Sequence, residues 1–322
     1  MFKVFRTSLI CAAFCASVAS AQVPARMAAP VLTFTTDSAG ALRPLIGIAR
    51  AATVGSPLDF GFSVLQSAIP PDQDYILATT AETPWPILLE LHDGIPVVRP
   101  FEGVSNINRI VISPAGSAAA FFSESDARIY SFVNLSQSPS AAGNFDVSGL
   151  GPLTALAVAD DGKSVLLGTS DGTNGSIFLL KPSQAPQLVT STNHPSAIQF
   201  LLKSDSAIVA DDVRNEILSV SNGQVSIVAR MQDGISSPDA LGISRDNQKV
   251  FVGNSKVGSI TTIEGLANIS TPVYCNCTLS GLYPTNTDSV FRITDFSGGP
   301  ILLFDGNSSA ARIVFVPVAN QY

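Results

Sequence analysis

The sequence predicts an all-β chain: a six-bladed β-propeller of four-stranded antiparallel blades, with seven blades as the alternative. Three observations lead there. A strand–turn–strand unit recurs at nearly constant spacing. Hairpin signals lie between the recurrences. The composition favours short strands and tight turns over amphipathic helices, with 24 Gly, 21 Pro, 46% apolar and only 13% charged residues.

The recurring unit is clearest in "ADDGKSVLLG", Ala159–Gly168, where an apolar run starts three positions after Gly162. The same frame sets Asp72 before Tyr75-Ile76-Leu77 and Gly116 before Ala119-Ala120-Phe121. It sets Ser204 before Ala207-Ile208-Val209 and Asn247 before Val250-Phe251-Val252. The successive spacings are 44, 46, 42 and 43 residues. A weaker sixth copy, "FRITDFSGGPILLFDG", puts Gly298 near the turn. Asp93-Gly94 and Asn222-Gly223 sit between apolar runs and suit tight primed turns, which need positive φ at both central residues. Each unit therefore holds four strands, the content of a propeller blade.

Blades are expected at 63–104, 105–150, 151–193, 194–237, 238–282 and 283–322. The last shows three strands, near Val290–Thr294, Pro300–Phe304 and Arg312–Val318. Its missing outer strand is expected from the N-terminal Arg43–Ile48, closing the ring and removing open sheet edges. Val31–Thr36 also reads as a strand and has no vacancy in six blades. It is an added edge strand or part of a divergent seventh blade.

Gly162-Lys163-Ser164 matches the end of a phosphate-binding loop. That loop needs a glycine five positions earlier and a helix after it, because backbone N–H groups must wrap the phosphates. Ala157 stands at the first position, and a strand pattern follows Ser164. The stretch reads as a turn.

The segments "ADDGKSVLLGT" and "SRDNQKVFVGN" resemble the repeats of bacterial propellers of the TolB-like, YVTN and NHL or SMP-30-like kinds. The resemblance lies in the repeat, and fuller motifs of these families are not present. A WD40 propeller is disfavoured, since the single tryptophan, Trp85, is not followed by Asp.

The chain opens with Lys3 and Arg6, a short apolar core from Ser8 to Val18, and Ala19-Ser20-Ala21. This pattern predicts a signal peptide over 1–21 and a propeller domain over 22–322. The protein is expected to be exported, periplasmic or extracellular, with no membrane span in the mature chain. Loss of the two basic leader residues leaves 16 basic against 25 acidic residues. An acidic exported chain has no electrostatic case for nucleic acid.

Loops that enter new blades, and turns between second and third strands, share one rim of a propeller. They carry many Asp and Asn residues. The candidate ligand set is His194, Asp239, Asp288, Asn286 and Asp59, suited to a hard divalent cation such as calcium. Turn preference alone also places Asp and Asn in such loops. The SMP-30-like resemblance implies a metal-dependent hydrolase or lactonase with a site in the channel mouth. The leading expectation is an exported binding module that takes a protein, glycan or small-molecule ligand at the rim, with enzymatic activity left open. Cys275-Asn276-Cys277 is a candidate disulfide in an oxidising compartment, either a local structural bond or a redox group, with two free thiols as the other reading.

Overall fold

The computed structural model describes residues 30–92, 95–296, 300–307 and 310–318. The expected signal peptide, Asp93-Gly94 and Gly298 lie outside the described residues. The described residues form seven antiparallel sheets, the seven blades of a propeller, and the expectation of six is corrected.

Blade 1 is Val31–Thr36, Leu42–Ile48 and Ala51–Val54, with three strands. Blade 2 is Val64–Ala68, Tyr75–Thr80, Ile87–His92 and Ile95–Pro100. Blade 3 is Ile107–Ile112, Ala118–Ser123, Arg128–Val133 and Ser140–Asp146. Blade 4 is Leu153–Val158, Val165–Ser170, Gly175–Leu180 and Gln187–Thr192. Blade 5 is Pro195–Phe200, Ala207–Asp211, Glu216–Ser221 and Gln224–Ala229. Blade 6 is Pro238–Ile243, Lys249–Asn254, Ser259–Glu264 and a split outer strand, Asn268–Ile269 and Val273–Tyr274. Blade 7 is Tyr283–Pro284, Val290–Arg292, Ile301–Asp305 and Arg312–Val316. No described helix is long and apolar enough to cross a membrane.

The blade boundaries from 63 onward agree with the sequence reading. The error lay at the two ends of the chain. Blade 7 has its own complete set of strands, but its innermost strand is only the pair Tyr283–Pro284. The first-to-second-strand turn of that blade is therefore Thr285–Ser289 and not the segment around Gly298. Arg43–Ile48 does not complete blade 7; it belongs to the middle strand of blade 1, between Val31–Thr36 and Ala51–Val54.

Blade 1 lacks an innermost strand among the described residues. Its first strand starts beside the turn of blade 7, where Asn286 donates to the carbonyls of Leu32 and Val31 at 2.9 and 2.6 Å. Its first turn instead meets the start of blade 2, where the Val64 N–H donates to Gly40 O at 2.9 Å. A strand running in that direction occupies the second position of a blade. Val31–Thr36 is buried as second strands are, with Leu32, Thr33, Phe34 and Thr35 all inaccessible or nearly so. The ring closes at the outside. Val54 bridges Val318 in parallel, and its N–H donates to Pro317 O at 3.0 Å.

Alternate residues of each strand face opposite sides of the sheet, so every blade packs on two neighbours. Each of the seven apolar clusters straddles one pair of adjacent blades. The cluster of Leu32, Leu45, Val54, Ile301, Leu303 and Val316 joins blade 1 to blade 7. Phe34, Leu42, Ile76 and Leu89 join it to blade 2.

Candidate functional site

The strand order gives the ring two unlike rims. The lower rim holds turns between first and second strands. The upper rim holds the loops entering each blade and the turns between second and third strands.

The lower rim is stitched blade to blade by turn residues. Asp160, in the "ADDGKS" turn, accepts the Ala115 N–H from blade 3 and the Lys203 N–H from blade 5, both at 2.7 Å. Gly162 in that turn has φ +64, and the Asp161 carboxylate caps Lys163 and Ser164 N–H. This is turn chemistry, and no helix follows. Asn247 exchanges two hydrogen bonds with the Leu202 backbone, at 2.8 and 3.0 Å. The Arg245 N–H donates to Asp288 at 2.9 Å. The Arg245 guanidinium spans from blade 6 to blade 2, 3.1 Å from Asp72 and 3.3 Å from Pro71 O. Tyr75 OH donates to Gly116 O at 2.6 Å, and Gln73 reaches Pro284 O at 3.4 Å. These ties run through blades 2 to 7 and pass inside blade 1. Beneath them lies a cavity of about 430 Å³ bounded by the innermost strands of those six blades, with Gln66, Ile112, Val158, Phe200, Ile243 and Thr285 in its wall.

On the upper rim, blades 5 and 6 bring polar side chains together. Asp211 is fully buried and accepts N–H bonds from Asn193, Val213 and Arg214 at 2.8, 3.1 and 2.9 Å. It thereby pins the loop before His194 to the turn that carries Asp212. His194 Nδ1 and Asp212 Oδ1 are 2.7 Å apart, which leaves Nε2 as the free ring nitrogen. Ser196 Oγ donates to Pro238 O at 2.5 Å and ties blade 5 to blade 6 beside Asp239. Asp239 is exposed to solvent on one side, yet the surrounding loops desolvate its carboxyl and hold it above the usual carboxylate range. A hydrogen bond from Ser255 opposes that shift, and the charge of Asp212 adds to it. An imidazole and two carboxylates thus border the channel mouth, a setting that favours cationic and hydrogen-bond-donating groups.

The same sector exposes large apolar side chains. Val213 and Val257 stand on the turns of blades 5 and 6, and Met231 and Tyr274 on the segments leading out of them. Met231 and Tyr274 are 63% and 62% exposed. Leu65 and Trp85 lie farther round this rim, on blade 2. The lower rim shows Ile48 and Leu266.

The five candidate metal ligands do not form one set. His194, Asp239 and Asp59 are on the upper rim, with Asp59 on the loop into blade 2 accepting its own Gly61 N–H at 3.0 Å. Asn286 and Asp288 are on the lower rim. The sequence reading put these two on a blade-entering loop because the two-residue strand before them is too short to show a pattern. Asp305 ends the third strand of blade 7, on the lower rim, and faces Arg50 and Arg312 at 3.3 and 3.4 Å. Among the described residues no group of three or more His, Cys, Asp or Glu is placed to hold a metal ion. Cys275 and Cys277 are joined by a disulfide, on the upper rim between blades 6 and 7. Asp160 and Arg245 were missed as tie points. Nothing local marks them, since their partners lie on other blades.

No family model matches the chain, and no curated protein does. Solved structures do. One is a functionally unknown protein from Desulfotomaculum acetoxidans DSM 771, with 13% identity and a TM-score of 0.61 over 87% of this chain and 97% of that one. Another is a chain in the crystal structure of a nidogen/laminin complex, with 12% identity and a TM-score of 0.51 over 77% of this chain and 95% of that one. At such identities the likeness is one of fold, and what this chain shares with both is the β-propeller.

Proposed function

We propose that the protein is an exported binding module whose partner, a protein, docks on the upper rim across blades 5 and 6. The carrying observation is the exposed set Val213, Met231, Val257 and Tyr274 beside the acidic mouth of Asp212 and Asp239. Exposed apolar side chains gathered in one sector and rimmed by polar groups suit a protein surface better than a glycan or an ion. The lower rim has its turn residues engaged with one another. The nidogen/laminin chain belongs to a complex of two proteins, which agrees with this use of the fold. The hydrolase reading needed its five ligands in one mouth, and they stand on opposite rims.

The test compares two double variants in capture of partners from the extracellular or periplasmic fraction. Val257→Asp with Tyr274→Asp puts charge on the upper rim. Ile48→Asp with Leu266→Asp does so on the lower rim. A partner lost only by the upper-rim pair supports the proposal. A partner retained by that pair, or lost only by the lower-rim pair, sinks it. Export rests on the leader-like Met1–Ala21; N-terminal sequencing of the native protein should begin at Gln22, and an intact Met1 argues against it.

A further inference from the structure

We propose that the Cys275–Cys277 disulfide is a thiol–disulfide exchange site that accepts electrons from a cysteine pair on a partner protein. The bond joins residues two apart in sequence, with Cα atoms 5.1 Å apart. A disulfide stabilises a fold chiefly by closing a loop in the unfolded chain, and the effect grows with loop length. This ring encloses only Asn276, so it staples the fold very little.

The segment also keeps its path without the bond. Tyr274 pairs with Ser259 and Val273 with Ile260, and the Cys275 N–H donates to Gly258 O at 2.9 Å. Both cysteines are partly exposed and rest on the apolar cluster between blades 6 and 7. The exposed Val257 and Tyr274 flank them and offer apolar footing for a partner chain. The turn Ser255–Gly258 is pressed against the ring. Gly258 has φ +60, and a Cβ there would stand 2.6 Å from Cys277 O and 3.6 Å from Cys275 Sγ, so only glycine permits the approach. The same turn carries the exposed Lys256. Exposed disulfides are the readily reduced ones.

The exchange balances as follows. A partner thiolate attacks one ring sulfur, the S–S bond breaks, and a mixed disulfide forms. The other cysteine leaves as a thiolate and takes a proton from solvent. The partner's second thiol loses its proton and attacks the mixed disulfide. The partner disulfide forms, and the remaining thiolate is protonated. The partner loses two electrons and two protons; Cys275 and Cys277 gain them. A second disulfide run through the reverse steps restores the ring.

The experiment equilibrates the folded full-length chain across ratios of reduced to oxidised glutathione. Free thiols are alkylated and weighed, and the thermal midpoint is read in the same samples. A synthetic Cys-x-x-Cys peptide in its dithiol form is the exchange probe. The expected result is half-reduction at a ratio about a thousandfold or more short of that needed for structural disulfides. The thermal midpoint stays put, and the peptide is oxidised by the native chain but not by Cys275→Ser/Cys277→Ser. Resistance to glutathione, no oxidation of the peptide, or a large fall in the midpoint on reduction overturns the proposal, the last by making the bond a staple. The glutathione and peptide assays need no docked partner protein, so this proposal and the docking surface on blades 5 and 6 fail separately.

Discussion

At the scale of single residues, Asp160 shows how a turn residue becomes a tie between blades. Each of its oxygens takes a backbone N–H from a different neighbour. A hydrogen bond to a charged group nets about 1.5–3 kcal/mol, and less where the donor is open to water, as at Lys203. Asp160→Ala should therefore lower the urea-derived unfolding free energy by about 2–4 kcal/mol, and Asp160→Asn, which keeps one carbonyl oxygen, by about half as much. No loss in the alanine variant would refute the clamp. Asp239 makes a prediction of opposite sign. Its folded-state pKa lies above the ordinary value, mainly through desolvation. The folded state then holds its proton more tightly than the unfolded one. The stability this group contributes is present below the unfolded pKa and is lost as pH rises through the folded pKa. Asp239→Asn should raise the thermal midpoint at neutral pH, and the gain should fade as the pH falls below the carboxylate range. A gain equal at about pH 7 and about pH 3 contradicts this account. Asp160 was legible as a turn former, because its neighbours in sequence set that role. Its clamping role was not, because Ala115 and Lys203 are both more than 40 residues away.

At the scale of elements, the blades with strong turns were readable and the weak one was not. Asn222-Gly223 shows why: φ values of 51 and 73 are those a primed hairpin turn demands, and Asn and Gly adopt them readily. Gly162 is a similar case with an added steric reason. A Cβ there would lie 2.3 Å from Val133 Cγ1. Gly162→Ala should cost about 1–3 kcal/mol from the left-handed backbone alone, with more from the clash. A neutral alanine in chemical denaturation would mean the turn can change conformation freely. Tyr283–Pro284 carries no alternation to read, since two residues have no period. Missing it moved Asn286 and Asp288 to the wrong rim. The seam it borders is open to test at Leu303, fully buried between blades 7 and 1. Leu303→Ala should destabilise by about 2–5 kcal/mol, as core truncations do. A loss well under this range would show blade 1 to be loosely docked.

At the scale of the molecule, a sevenfold ring of sheets encloses a channel walled by six innermost strands. Blade 1 acts as an outer wedge, held by apolar contact on both sides and by the Val54–Val318 bridge. A chain beginning at Gly55 would bare Ile301 and Leu303 on one face and Ile76 and Leu89 on the other. It should aggregate or unfold well below the full-length midpoint. A stable, monomeric shortened chain would mean that the lower-rim ties alone close the ring. Turn chemistry and strand alternation act between near neighbours, so the sequence by itself determined the all-β class, the blade boundaries from residue 63 onward and the turn at Gly162. Blade number, ring closure and the rim on which each candidate side chain stands were decided only by tertiary structure. Those depend on contacts such as Asn286 with Leu32 and Val54 with Val318, which join the two ends of the chain and leave no local mark in it.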